Sequence, residues 1–452
     1  MLGKLKELTR RKFSLYLILF IGVFWTTRIQ QLAKWESHSV INVSDTKYYY
    51  VYLPAAFIYN DLSLNFIDGM QDNYKEKTVY RQMANGKRVS KALMGVSVMY
   101  APFFFLGHFH TYFTDEPQNG YSVFYEMYLN MAGVFWALIG LYFLRKVLLR
   151  FYNEGIVALT LLLLAIGTNL HYYTMGESMM SHVYSFSTAA IFLWLSLLWR
   201  ENMSFRNSAI MGLVGGLIVL IRPVNATVFI LPMFFYLEKL QKVGGLNFKQ
   251  FQPIIWMALF VIISLLPQLF YWKIYGGHFF IDTYGEEGFH FERTGNIVNG
   301  FFSFRKGWLL YTPLMALPLI GFFFFKRLDS GLNRALIVYF IITTYVIFSW
   351  YCWWYGGSFG SRAMIDTYAF LSLPLAATLH FLMSKKPILK IPSFLVFFLL
   401  VALNLFQTWQ YYSGFFHFDG MTKESYWAIF LQTERPENLK ELFSRPDYEA
   451  NL

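Results

Sequence analysis

The stretch ALMGVSVMYAPFFFLGHFHT, residues 92–111, governs how the rest of the chain is threaded. It is apolar and long enough, as a helix, to span the roughly 30 Å of a hydrocarbon core. A single crossing here moves every later segment to the opposite side. The question arises because the whole sequence reads as a membrane protein. Of 452 residues, 56% are hydrophobic and only 14% charged, whereas a soluble globular chain carries about 25% charged residues. There is too little charge to cover a water-facing surface.

Apolar runs are read as spans near 13–33, 121–144, 155–172, 182–199, 207–221, 224–238, 254–273, 308–325, 335–352, 364–384 and 393–412. The basic start, with Lys4, Lys6, Arg10, Arg11 and Lys12, sets one side. It has no small-residue cleavage site and reads as an uncleaved first helix. The loops with Arg145/Lys146/Arg150, Arg200/Arg206, Lys239/Lys242/Lys249, Lys326/Arg327/Arg334 and Lys385/Lys386/Lys390 then fall on that same side, the cytoplasmic one by the positive-inside rule. This agreement holds only if 92–111 does not cross alone. It is a helical hairpin, a re-entrant segment, or one of two crossings paired with 48–67. Residues 207–238 are either two spans or one helix broken at Arg222-Pro223. The expected fold is an all-α polytopic bundle of about 11–13 transmembrane helices, in one membrane domain over 1–411. A tail, 412–452, follows on the outer face. The net charge of +11 sits mainly in short loops, which argues against nucleic acid. With Cys352 the only cysteine, no internal disulfide can form.

This topology gathers four polar segments on the outer side: 34–91, HYYTMGESMMSHVYSF (171–186), the long loop 276–307, and WWYGGSFGSR (353–362). Long loops with little structural excuse tend to carry function. In SDTKYYYVYLPAAFIYND (44–61), Tyr48, Tyr52, Ala55 and Tyr59 share one helical face, which reads as a helix in the interface plane. Asp45 at its start is either a helix cap or a general base at the membrane surface. Arg222 lies within an apolar run, so it is an anion site or a snorkelling rim residue. Arg362 follows a glycine-rich turn at a helix start, which suits phosphate. Arg305 and Lys306 are phosphate ligands or an outer flank. Glu177 and His182 are further candidates, although His182 suits a packing role as well. Asp282, Glu286, Glu287, Glu292 and Arg293 read mostly as a solvated mixed-charge loop. Trp350, Trp353 and Trp354 form an aromatic belt or a surface for a sugar ring. No zinc-ligand spacing, P-loop, nucleophile elbow or dinucleotide fingerprint is present.

The layout is similar to that of the GT-C class of membrane glycosyltransferases, which includes the protein O-mannosyltransferases and the lipid A aminoarabinose transferases. The segments that carry the likeness are the early acid in SDTKYYYVYLPAAF, the LIRPVN stretch, NGFFSFRKGWLLYTP and WWYGGSFGSRAMIDTYAFLSLP. The last two resemble patterns of bacterial members. The resemblance spans roughly residues 10–410, and its motifs are looser than a P-loop.

It implies transfer of a sugar from a polyprenyl-phosphate carrier to an acceptor hydroxyl on a protein, lipid or glycan, with inversion at the anomeric carbon. The site would face the periplasm, across a bacterial inner membrane from a cytoplasmic N-terminus. Asp45 would be the general base. Arg222 and Arg362, with Arg305 and Lys306, would hold the donor phosphate. Tyr48, Glu177, His182 and Trp354 would contact substrate. Many relatives carry a second acid near the first, and some use a divalent metal. Here the next acids are Asp61 and Asp68, and a second could come from Glu177, Asp282 or Glu286. Metal dependence is left open, with a divalent metal not favoured, and no other cofactor is expected beside the lipid-linked sugar donor. Alternatives are a non-catalytic subunit of this fold in an envelope complex, or a lipid or sugar transporter.

Overall fold

The computed structural model describes residues 12–41, 44–241 and 247–451. Lys4, Lys6, Arg10, Arg11 and Lys242 lie outside the described residues. The chain is mostly helical. Its only sheet among the described residues is a two-stranded antiparallel hairpin, Arg81–Gln82 with Arg88–Val89. Among the described residues, seven helical segments are long and apolar enough to cross a membrane: Phe13–Leu32, Val123–Leu148, Ser181–Glu201, Phe248–Gly276, Ser330–Phe348, Arg362–Met383 and Pro387–Tyr412. This is consistent with a multi-pass membrane protein. Glu154–Ile166, Phe205–Ile221 and Pro313–Phe325 are shorter apolar helices.

Close backbone approach sets the packing. The Ala316–Phe325 helix lies against Tyr368–Met383 at Gly321, where a Cβ would sit 1.8 Å from the Pro374 carbonyl oxygen. Only a residue without a side chain fits there. Tyr368–Met383 and Ser181–Glu201 form the centre, with most of each helix buried. Phe248–Gly276 and Pro387–Tyr412 sit at the rim with wide apolar faces uncovered.

One end of the bundle is basic and tied by ion pairs. Arg145 pairs with Glu154 at 2.6 Å, Arg150 with Glu201 at 2.7 Å, and Arg200 with Asp329 at 2.5 Å and Glu238 at 3.1 Å. Helices that start here carry side-chain caps: Asn153 accepts from the Ile156 N–H, Ser204 from that of Asn207, and Asp329 from that of Leu332. The loops grouped by charge in the sequence therefore meet at a single end.

Residues 92–111 form one helix, Gly95–Thr111, rather than a hairpin. It runs antiparallel beside only part of Val123–Leu148. Trp136 donates to the Met99 carbonyl, Phe103 meets Phe135, Gly107 lies against Tyr125, and His110 stacks on Phe124. The helix stops well short of the basic end, so the chain re-enters Val123–Leu148 from the side it left.

Three of the other expected segments differ in detail. Residues 44–57 form two short helices, Ser44–Tyr50 and Tyr52–Phe57, rather than one. Tyr50, Val51, Tyr52 and Leu53 are all buried, because neighbouring segments enclose the stretch on more than the face the tyrosine spacing marks. The 155–172 run breaks after Ile166 and resumes as Leu170–Met175. The 224–238 run begins as a 3-10 turn, Pro223–Phe229, so only Ile230–Leu240 is α-helical.

The tail is part of the same body. Phe415, Phe416, Met421, Tyr426, Ile429 and Leu439 join the main core.

Candidate functional site

The end of the bundle opposite the ion-paired basic loops holds a cavity of about 610 Å³. Four segments far apart in sequence build it. Ser44–Tyr50 presents Asp45, Tyr48 and Tyr49; the start of Ser181–Glu201 presents His182; the end of Phe205–Ile221 leads into Arg222; and the 350–362 turn presents Tyr355 and Arg362. The 276–294 loop closes one side with Asp282, Tyr284 and Glu287.

Local sequence explains the placement. Gly95 packs where a Cβ would meet the Ile221 nitrogen at 2.3 Å, which draws the Gly95 helix against the residue before Arg222. The Ser97 hydroxyl donates to the Tyr49 carbonyl, tying the tyrosine helix to the same point. In the 353–362 turn, Tyr355, Gly356 and Gly360 have φ of 58°, 61° and 61°. A left-handed tyrosine costs energy, and such residues persist where surroundings fix them. Here the Tyr355 hydroxyl donates to the Ile347 carbonyl, and its ring lies 5.5 Å from the Arg222 guanidinium. The glycine-rich turn is thus pinned in place.

Two charged groupings lie on the wall. Arg362 Nη2 is 2.9 Å from Asp45 Oδ2, while the buried Arg362 Nε has no hydrogen-bond partner. The second grouping is deeper. His182 Nδ1 lies 3.1 Å from Asp366 Oδ1, and Arg222 Nε lies 3.2 Å from Asp366 Oδ2, an ion pair whose angle falls short of a hydrogen bond. Arg222 Nη1 is also 3.0 Å from His182 Nδ1. His182 and Asp366 are buried, and of the three residues His182 and Arg222 reach the cavity. At the mouth, Lys91 pairs with Glu287 at 2.6 Å and lies 4.9 Å from the Tyr284 ring. No side chain caps the Ser181–Glu201 helix at this end, so its free N–H groups add positive potential.

The other sequence candidates divide. Asp45, Tyr48, His182, Arg222 and Arg362 line one cavity. Glu177, Arg305, Lys306 and Trp354 do not. Glu177 is half-buried and accepts from the Tyr172 hydroxyl at 3.0 Å. Burial raises its carboxyl above the usual range, against the opposing pull of Arg362, Tyr172 and Lys34. Lys306 is buried and donates to the Ser358 carbonyl, holding the 353–362 turn from behind. Arg305 donates to the carbonyls of Asp419 at 2.7 Å and Ser444 at 3.3 Å, anchoring the tail. Trp354 packs on Trp353 and Tyr448.

Sequence reasoning passed over Asp366, although an acid four residues beyond Arg362 in an apolar run was a signal. It also left Glu287 to solvent, yet this acid reaches the wall, as does Asp282, a candidate second acid; Glu286, the candidate beside it, does not line the cavity. The early acids Asp61 and Asp68 are occupied elsewhere: Asp61 accepts from the Ser63 and Phe66 N–H groups, and Asp68 pairs with Arg88. Among the described residues no group of three His, Cys, Asp or Glu side chains is placed to hold a metal ion.

Neither a scan of the chain against protein-family models nor a search of curated proteins returns a significant match.

Proposed function

We propose that this protein is a GT-C-like membrane glycosyltransferase that moves a sugar from a polyprenyl-phosphate carrier to an acceptor hydroxyl in the cavity around Asp45. The observation that carries this reading is the convergence of Asp45, Arg222 and Arg362 on one cavity, although 317 positions separate Asp45 from Arg362. In this reading the Asp45 carboxylate takes the acceptor proton as the acceptor oxygen attacks the anomeric carbon. The bond from that carbon to the phosphate oxygen breaks on the opposite face, which inverts the centre. Polyprenyl phosphate leaves with the bonding pair. Arg222 and Arg362 offset its growing charge, helped by the uncapped helix start at Ser181. The unpartnered Arg362 Nε supplies a donor for a phosphate oxygen. Tyr48, Tyr284 and Trp350 give the walls aromatic faces suited to a sugar ring.

The positive-inside rule then puts the basic end in the cytoplasm and the cavity on the periplasmic side of a bacterial inner membrane. The re-entrant course of Gly95–Thr111 supports that count, since it leaves the side of every later loop unchanged.

Replacing Asp45 by Asn and comparing envelope glycans by mass spectrometry in wild-type, deletion and variant cells tests the proposal. It expects the variant, made at normal level, to lose the glycan that deletion removes. A deletion that changes no glycan rejects it. One observation favours transport as a second reading: the helix is discontinuous at Arg222, beside the buried Asp366. Movement of a lipid-linked sugar across vesicles without sugar release would mark that outcome.

A further inference from the structure

The tail, residues 412–452, holds seven acids and four bases, namely Lys423, Arg435, Lys440 and Arg445. A second cavity of about 610 Å³ opens at the point where Pro387–Tyr412 ends and the tail begins. Three of the four bases, Arg435, Lys440 and Arg445, line it, and none of the seven acids does. Sorting of this kind within a net acidic segment leaves a cationic rim. None of the three side chains has a hydrogen-bond or ion-pair partner among the described residues. The lining also includes Tyr411, Phe416 and Phe443, an apolar floor beneath the charges. Asp419, which pairs with the lining residue His417 at 3.1 Å, also accepts from the Tyr448 hydroxyl at 3.1 Å.

We infer that this cavity binds the phosphate headgroup of an anionic membrane lipid. Its position selects a lipid over a soluble anion. Pro387–Tyr412 is the least buried of the seven long apolar helices, so its uncovered face offers a path for acyl chains. Trp409, Trp427 and Leu431, each exposed, are carried by the same helix and the tail, and tryptophan favours the headgroup level. The chains lie along the helix while the phosphate reaches Arg435, Lys440 and Arg445. The site is separate from the cavity around Asp45 and does not depend on the proposed reaction.

The test is native mass spectrometry of the full-length protein released from nanodiscs of equal phosphatidylglycerol and phosphatidylcholine, against R435Q/K440Q/R445Q. Retained phosphatidylglycerol should exceed phosphatidylcholine on the wild type, and the preference should fall by about fivefold per cation removed. Thermal unfolding of the variant checks that it is folded, and each single substitution gives an independent reading. Equal retention of the two lipids by the wild type overturns the inference. So does a preference that survives in the folded triple variant. Inorganic phosphate that binds in detergent and displaces the lipid at equal concentration also overturns it, since the site then takes the free anion.

Discussion

Asp45 and Asp366 are both aspartates paired with arginine, and their surroundings predict different outcomes on mutation. Asp45 is partly open to the cavity, so its neutral isostere leaves the fold intact. As a general base its loss slows transfer by about 10²–10⁴-fold, read as the rate of glycan formation by D45N at matched protein level. Asp366 is enclosed and joins Arg222 to His182. Removing one partner of a buried ionic group costs about 3–5 kcal/mol, so D366N should lower the thermal midpoint in detergent as well as activity. Lys306 gives a prediction in pH. Burial pulls its amine from 10.5 down to about 7, against the pull of Asp419 and Glu177. Between those values the unfolded chain holds a proton that the folded one has released, so stability rises with pH across that window. Below about 7 the cost of the buried ammonium is fully present. Thermal midpoints of K306M measured from pH 6.5 to 9 should rise less steeply than those of the wild type, and equal slopes refute the assignment.

At the scale of elements, helix crossings are set by backbone contact as much as by hydropathy. Gly321→Ala inserts a Cβ against the Pro374 carbonyl and should destabilise by about 1–3 kcal/mol, seen as a lower unfolding midpoint with the Asp45 cavity unaltered. Such contacts are invisible in a hydropathy trace, which explains what the sequence disclosed and what it hid. Most apolar runs became helices near their expected limits, because length and hydropathy suffice to mark them. The break after Ile166 was hidden within an expected span, whereas Arg222-Pro223 already marked the alternative of a broken helix. Asn85-Gly86 is a turn signal for a hairpin, and Gly86 has φ of 77°; it was overlooked among long apolar segments. The tyrosine spacing in 44–61 marked a face but could not show that other segments would cover it. Asp45, Arg222 and Arg362 stood out as polar residues in apolar settings. Glu287 did not, because a charged loop looks the same in sequence whether it faces solvent or closes a cavity.

For the whole molecule, the charge pattern predicts sidedness. With Cys352 replaced by Ser, a single cysteine at Asn202 or Lys386 should react with a membrane-impermeant thiol reagent only in inside-out vesicles. One at Lys423 or Thr294 should react in intact spheroplasts. Labelling of Lys423 and Asn202 positions from the same side would contradict the positive-inside assignment. The tail also sets an order on assembly. Tyr448 lines the Asp45 cavity, holds Asp419 and contacts Trp354. A ribosome has finished every long helix of the bundle before it reaches that tyrosine. Until then the cavity has a missing wall, so nascent chains pass through a stage with helices inserted and the pocket open. Closure of the pocket therefore follows synthesis of the seven long helices, and it requires the segment around Tyr448 to lie on the same side as Asp45.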